Sequence, residues 1–229
     1  MSWRSAPTSS SFCRVAKGDL LRPRPTLTKV KGSVPARATV DAMTEPVAIW
    51  HADHIRFARL LDLVERELAA FHAGEQPNYA LLLDVVHYLR HYPDRFHHPR
   101  EDVAFARLVE RDPAMSLPVA RRLQEHRVIA AAGEQFLAVV EAIVEGALIE
   151  RSTVEAAAAT YLVYYRHHLA AEEEHVVPRA GKVLTAEDWA AVAAAAPPGP
   201  DPLFGDDSEA RYRELRRQIA LEAGQRTAD

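Results

Sequence analysis

The stretch that decides the fold is VAIWHADHIRFARLLDLVERELAAF at residues 47–71. Apolar side chains and one histidine recur in it at alternating steps of three and four residues. This spacing predicts one face of a long helix. Gly74 and Pro77 then end the pattern, because both residue types disfavour a helix interior. The face consists of Val47, Trp50, His54, Phe57, Leu61, Val64, Leu68 and Phe71.

Three further helices follow with the same kind of pattern. The second begins near Asn78 and contains Pro93 and Pro99, which predict a kink or bulge. The third begins near residues 117–118, and the fourth begins after Ser152. Long helices joined by short loops predict an all-α, up-down-up-down four-helix bundle.

The chain divides into three predicted parts. Residues 1–42 are expected to be a disordered basic extension, residues 43–180 the bundle, and residues 181–229 a C-terminal helical extension that packs on it. The first part carries eight Lys/Arg against two Asp, for a net charge of +6. Two other interpretations of this part stay open, namely an organellar transit peptide and a true start at Met43.

Composition excludes several classes of protein. The 229 residues contain one cysteine, Cys13, which excludes a disulfide framework and a thiolate zinc site. Residues 43–229 carry a net charge of −10, which argues against nucleic-acid binding. No apolar run approaches the ~18 residues of a membrane span. We therefore expect a cytoplasmic protein that binds neither nucleic acid nor membrane.

Each of the four predicted helix faces contains a histidine in register, and two of these histidines are followed by a glutamate four residues later. The fourth face also includes His175. Residues i and i+4 lie one above the other on a helix, so each such pair presents an imidazole and a carboxylate to one point. A buried, unpaired carboxylate costs several kcal/mol, and no Lys or Arg occupies an inward position. A metal site is therefore predicted from His54, His97, Glu101, His126, His168 and Glu172.

The positions of these six residues along the helices agree with a common site. In an up-down-up-down bundle, the starts of helices one and three share an end with the ends of helices two and four. At ~1.5 Å rise per residue, all six groups fall within about two turns of one level. Mixed imidazole and carboxylate donors favour iron or manganese over structural zinc, and two carboxylates able to bridge favour two ions.

The residues also carry a family resemblance. The chain resembles the hemerythrin-like HHE cation-binding family over about residues 45–180, in particular its bacterial, four-histidine di-iron members. The segments that carry the resemblance are DH at 53–54, YPDRFHHPRED at 92–102, EH at 125–126 and HHLAAEEEHVVP at 167–178, with DPLFG at 201–205 resembling the tail of bacterial members.

The resemblance implies a non-haem centre of two iron ions. The four histidines would be terminal ligands, and Glu101 and Glu172 would bridge the irons together with an oxo or hydroxo group. It also implies a small diatomic ligand, O2 or NO, and a redox partner. The activities implied are O2 binding, sensing of NO or redox state, stress response, peroxide chemistry and iron–sulfur repair. We accordingly expect a metal-binding, redox-reactive protein rather than a classical enzyme.

One position departs from the oxygen-carrying hemerythrins, which place a second histidine four residues after the one on the third helix. This chain has Ala130 there. Four histidines would leave more open coordination, which favours reactive chemistry over reversible O2 carriage. A water molecule, or the nearby Tyr165 or His175, could occupy the open coordination position. Tyr165 and His175 could instead lie behind the ligands.

Alternatives remain for residues and for function. His98 and His167 are expected to point away from the centre, although His98 replaces His97 if the register slips by one near Pro99. A ferritin-like ferroxidase uses Glu-x-x-His on two helices, and here only Glu172 with His175 fits that pattern. An iron-storage or iron-buffering bundle is a third alternative. The oligomeric state is not predicted.

Overall fold

The structure is a computed structural model that describes residues 36–196, 200–205 and 209–226. These residues contain helices and no strand, which confirms the all-α prediction. Gly74 ends the first helix with a φ of 79°, a left-handed conformation that glycine adopts without strain. The α-helices are α1 (Ala36–His72), α2 (Tyr79–Tyr92), α3 (His98–Arg111), α4 (Ser116–Val144), α5 (Arg151–Ala171), α6 (Val177–Val183), α7 (Ala186–Ala194) and α8 (Arg213–Arg226).

Four helical rods form the bundle: α1, α2 continued by α3, α4, and α5 continued by α6. The first rod packs against α2 and α5, and α4 packs against the same two helices. Helices joined by short loops are therefore neighbours, as the bundle prediction requires. Helix α1 begins at Ala36, seven residues before the boundary expected from the sequence. The remainder of the predicted extension, residues 1–35, lies outside the described residues.

A π-helical turn interrupts the second and the fourth rod, at Pro93–His97 and at Glu172–Val176. In each, the amide after the turn donates to the carbonyl of the turn's first residue, five positions back. A proline follows two residues after each turn, Pro99 in one case and Pro178 in the other. Proline has no amide hydrogen and crowds the preceding carbonyl, so the α-helical ladder is broken there. The bulge expected in the second rod is confirmed, while the fourth was predicted to be uninterrupted.

Two apolar clusters fill the bundle. The larger contains Phe57, Phe136 and Tyr165, and the smaller contains Trp50 and Phe105. Both clusters border a polar cluster of histidines and carboxylates, because the ring of Phe57 lies 5.0 Å from that of His97 and the ring of Trp50 lies 6.3 Å from that of His54. Within the described part of the chain, no helix has the length and apolar character that a membrane span needs.

The C-terminal helices contact the bundle from outside. Thr185 begins α7 with a capping box shared with Asp188. The same aspartate accepts from the guanidinium of Arg111, Nη2 to Oδ1 3.2 Å, which ties α7 to α3. Helix α7 thereby brings Trp189 into the smaller apolar cluster. Helix α8 contacts α2.

Candidate metal centre

The six residues predicted as metal ligands converge in one buried cluster. His54 and His97 are 3% and 5% exposed, and Glu101, His168 and Glu172 are at most 1% exposed. The side chain of His126 is 11% exposed. Charged and polar groups at this depth need partners or a cation.

One part of the cluster consists of His54, His97 and Glu101. The two Nε2 atoms are 3.1 Å apart, and they lie 3.3 Å and 2.8 Å from Oε1 of Glu101. Two ligands bound at right angles to one first-row metal ion, each at ~2.1 Å, lie about 3 Å apart. The three donors therefore have the spacing that a single ion requires. Trp50 fixes the carboxylate, because its indole N–H donates to Oε1 of Glu101.

The other part of the cluster consists of His98, Glu101, His126 and His168, whose donor atoms all lie within 4.8 Å of one another. Nε2 of His126 lies 3.1 Å from Oε2 of Glu101, the carboxylate oxygen that the first group does not use. The ring of His98 stacks on that of His126 with 4.2 Å between centroids. Glu101 thus belongs to both groups, one oxygen facing each.

Glu172 lies between the two groups in the same way. Its Oε2 is 3.4 Å from Nε2 of His54, and its Oε1 is 3.4 Å from Nε2 of His168. Neither oxygen has a hydrogen-bond partner among the described residues, although the side chain is fully buried. Unsatisfied carboxylate oxygens at this depth are the atoms that a bound cation would satisfy.

Each histidine has a carboxylate behind it, on the Nδ1 side of the ring. An ionised carboxylate only accepts hydrogen bonds, so Nδ1 donates to it, and in the neutral imidazole Nε2 keeps the lone pair that a metal ion needs. This arrangement orients metal-bound imidazoles and raises their basicity. The pairs are His54 with Glu173 (2.6 Å), His97 with Asp53 (3.2 Å), His98 with Asp94 (2.9 Å), His126 with Asp102 (3.4 Å) and His168 with Glu125 (3.3 Å).

The electrostatics of the cluster also suit a cation. Burial lowers the pKa of His98 to about 3 and that of His168 to about 4, so both are neutral near pH 7. Burial, followed by the charge of Glu101, raises the pKa of Glu172 to about 7. Burial opposes ionisation of Glu101 as well, but the charge of His97 and hydrogen bonds from three histidines outweigh it and hold the Glu101 pKa well below its ordinary value. Burial opposes protonation of His54, His97 and His126, but the neighbouring carboxylates outweigh it and raise the pKa of all three, so these rings carry positive charge that a metal ion would replace.

Residues 45–180 match the model of the hemerythrin HHE cation binding domain. This span covers more than half of the chain. The chain belongs to the hemerythrin HHE family. The family's description names cation binding, in agreement with the two donor groups found here. Neither a curated protein nor a solved structure matches the chain.

Two sequence predictions about this hemerythrin domain need correction. His98 was expected to point away, but it is buried and lies among the donors, so five imidazoles rather than four converge. His175 was expected on the inward face, but its side chain is 58% exposed. His98 lies three residues before Glu101, a spacing that places both side chains on one helix face. The π-turn at Glu172–Val176 inserts one residue and rotates the helix beyond it, which moves His175 outward. At the second turn, Val176 occupies the buried position instead.

Tyr165 remains next to the site without a demonstrated role. It is 1% exposed, three residues before His168, and its hydroxyl has no hydrogen-bond partner among the described residues. Burial raises its pKa well above the ordinary value, which keeps the phenol neutral. Its predicted place behind the metal ligands stays a prediction.

The sequence did not predict the carboxylates behind the histidines. Only one of the five pairs, Asp94 with His98, has the i, i+4 spacing that a sequence reveals. The other four pairs join different helices. Asp53 precedes His54 in the chain, for example, yet contacts His97.

Proposed function

We propose that this hemerythrin domain is a non-haem di-iron protein that binds and reacts with small diatomic or redox ligands, namely O2, NO or peroxide. The observation that carries the proposal is the sharing of carboxylates between two groups of imidazoles. Glu101 presents one oxygen to each group, and Glu172 does the same. Two carboxylates placed in this way suit two ions a short distance apart better than one ion.

The donor set supports iron. Imidazoles and carboxylates without thiolates are the ligands of non-haem iron proteins, whereas closed zinc sites prefer thiolates or exactly four donors. In this proposal His54 and His97 hold one ion, and His98, His126 and His168 hold the other. The bound irons would supply electron exchange with the small ligand.

The protein's own residues would direct that ligand to one side. The His54 side offers two imidazoles and the His98 side offers three, so the first ion keeps more open coordination. Trp50 holds Glu101 from this same side through its indole N–H. The apolar rings of Phe57 and Phe105 limit the water that reaches the centre, which protects reactive species from side reactions.

The biological role divides into two candidates. Reactive chemistry, as in sensing, stress response or iron–sulfur repair, was favoured because Ala130 replaces a histidine found in oxygen carriers. His98 now brings a fifth imidazole to the centre, and this observation makes reversible O2 carriage the second candidate. The ferroxidase alternative loses its sequence support, because His175 is exposed. A redox partner and a cytoplasmic location stay predictions.

The proposal is tested first by metal analysis. Protein purified without air should contain about two iron ions per chain, and its oxidised form should show a near-ultraviolet absorption band. Glu101→Ala and His168→Ala should lose the band. His167→Ala is the matched control, because that side chain is 65% exposed and adjoins the same ligand. One zinc per chain and no iron would refute the di-iron assignment.

The two candidate roles are separated by gas titration. The reduced protein would be titrated with O2 and with NO under anaerobic conditions while its absorption spectrum is followed. A stable O2 adduct that reverses when O2 is removed supports carriage. Rapid, irreversible oxidation by O2 together with a stable NO adduct supports sensing or reactive chemistry.

A further inference from the structure

A cavity of about 240 Å³ opens beside the metal centre, between α1, α3 and α7. Its floor includes His97 and Glu101, so it reaches the side of the centre that has two imidazoles. Its walls are mostly apolar and include the rings of Trp50 and Trp189. These rings are 6% and 5% exposed and meet edge to face at 6.3 Å.

Two hydrogen-bond donors in the lining have no partner among the described residues. The guanidinium of Arg100 makes no hydrogen bond or ion pair with the side chains that the structure describes from residue 46 onward. The indole N–H of Trp189 is buried and also lacks an acceptor in the described part of the chain. Guanidinium and indole groups donate and never accept. The buried indole N–H of Trp189 therefore needs an acceptor from outside, which a ligand would provide, and the half-exposed guanidinium of Arg100 adds a positive charge to the same lining.

The acidic groups in the lining are already occupied. The carboxylate of Asp53 accepts from Arg56 at 3.1 Å and from His97 at 3.2 Å. Glu101 accepts from Trp50 and faces the imidazoles. The polar groups of the lining that remain for a ligand are therefore the indole N–H of Trp189 and the guanidinium of Arg100, surrounded by apolar walls.

We propose that this cavity binds a small amphiphilic carboxylate, with its anionic head on Arg100 and Trp189 and its apolar body between the tryptophan rings. At ~30 Å³ per water molecule, the cavity equals about eight waters, which suits a chain of about eight carbon atoms. Planar guanidinium groups match carboxylates in a two-pronged hydrogen bond. The site extends beyond the proposed di-iron function and does not depend on the identity of the metal.

Binding is measured directly through the tryptophans. The chain has three, and two of them line the cavity. The full chain carrying Trp3→Phe therefore reports the cavity by fluorescence, and calorimetry gives an independent dissociation constant. The probes are octanoate, 1-octanol, which has the body without the charge, and acetate, which has the charge without the body. Octanoate is expected to bind at least tenfold more tightly than either.

Variants test each contact. Arg100→Gln should weaken octanoate binding about tenfold or more, and Trp189→Phe, which keeps the apolar wall, by a few-fold. Arg107→Gln is the matched control, because Arg107 lies on the same helix and its guanidinium pairs at the surface with Glu110. Ala193→Leu at the exposed mouth should hinder entry without touching Arg100. Helical circular dichroism and metal content are measured for every variant.

Equal affinity for octanoate and octanol would overturn the proposal, as would equal affinity of the Arg100→Gln and Arg107→Gln variants. Binding of acetate as tight as that of octanoate would also overturn it, since the anion would then act on the metal alone. If Arg100→Gln loses metal, the test is the octanoate affinity of Trp189→Phe and Ala193→Leu, and parental affinity in both would overturn the proposal. A protein that binds octanoate but holds no iron refutes the proposed function and leaves this inference standing.

Discussion

Substitution of Glu172 by glutamine should stabilise the metal-free protein at high pH and weaken its binding of iron. Glutamine keeps the shape of the side chain but cannot ionise. Glu172 is fully buried, and burial together with the charge of Glu101 raises its pKa to about 7 from an ordinary 4.5. Such a carboxyl group holds its proton more tightly in the folded state. Its folded form therefore loses stability as the pH rises from about 4.5 to 7, and the full cost is present above 7.

The magnitude follows from that interval. At ~1.4 kcal/mol for each pH unit, ionised Glu172 costs the metal-free fold on the order of 3 kcal/mol at pH 8. The metal-free Glu172→Gln variant should thus be more stable than the parent at pH 8 and about equal to it at pH 4.5. With iron present, the parent should be the more stable protein. The variant lacks a carboxylate that both groups of imidazoles face, so it should bind fewer than two iron ions per chain.

The assay is urea unfolding of metal-free protein, followed by circular dichroism between pH 4.5 and 8, with iron content measured in parallel. Glu174→Gln is the control, since this neighbouring side chain is 74% exposed. A metal-free variant with no gain in stability at pH 8, or with a gain independent of pH, would contradict this expectation. A variant that still binds two iron ions with parental affinity would contradict it as well.

Three further substitutions test two positions of the site and one close contact in the bundle core. His98→Ala should lower iron affinity at least 10- to 100-fold in a competition titration with an Fe(II) chelator, whereas His167→Ala should not. Equal affinities of the two variants would show that His98 is not a ligand and that the centre has four histidines. Glu173→Gln, which loses a carboxylate bonded to a buried imidazole, should weaken iron binding about 10- to 100-fold by the same titration, and Glu174→Gln should not. Gly133→Ala should reduce the free energy of unfolding by about 1–3 kcal/mol, because the new Cβ would lie 2.9 Å from a buried tyrosine ring; unchanged urea unfolding would contradict this.

Much of the fold, and the pairing of Glu101 and Glu172 with histidines, follow from the order of residues along single helices. The spacing from Val47 to Phe71 predicted α1, and the His-x-x-x-Glu spacing predicted that Glu101 and Glu172 would lie beside histidines. These are properties of one helix, in which residues four apart share a face whatever the helix packs against.

The errors at His98 and His175 arose where prolines interrupt the helices. A proline shows that the α-helical ladder is interrupted, but it does not say whether the chain kinks, ends or widens into a π-turn. The π-turn at Glu172–Val176 shifts the register by one residue and leaves His175 in solvent. In the second rod, both His97 at the end of the π-turn and His98, three residues before Glu101, lie among the donors.

By itself, the sequence determined the helices, the family and the six residues that converge on the centre, because periodicity and i, i+4 spacing are set within one helix. Only the tertiary structure decided which carboxylate supports which histidine, such as Glu173 with His54, and that Trp189 of α7 closes a cavity beside Glu101. These contacts join residues from different helices. They depend on the rotation and height of each helix against its neighbours, and those are fixed by the packing of the whole bundle.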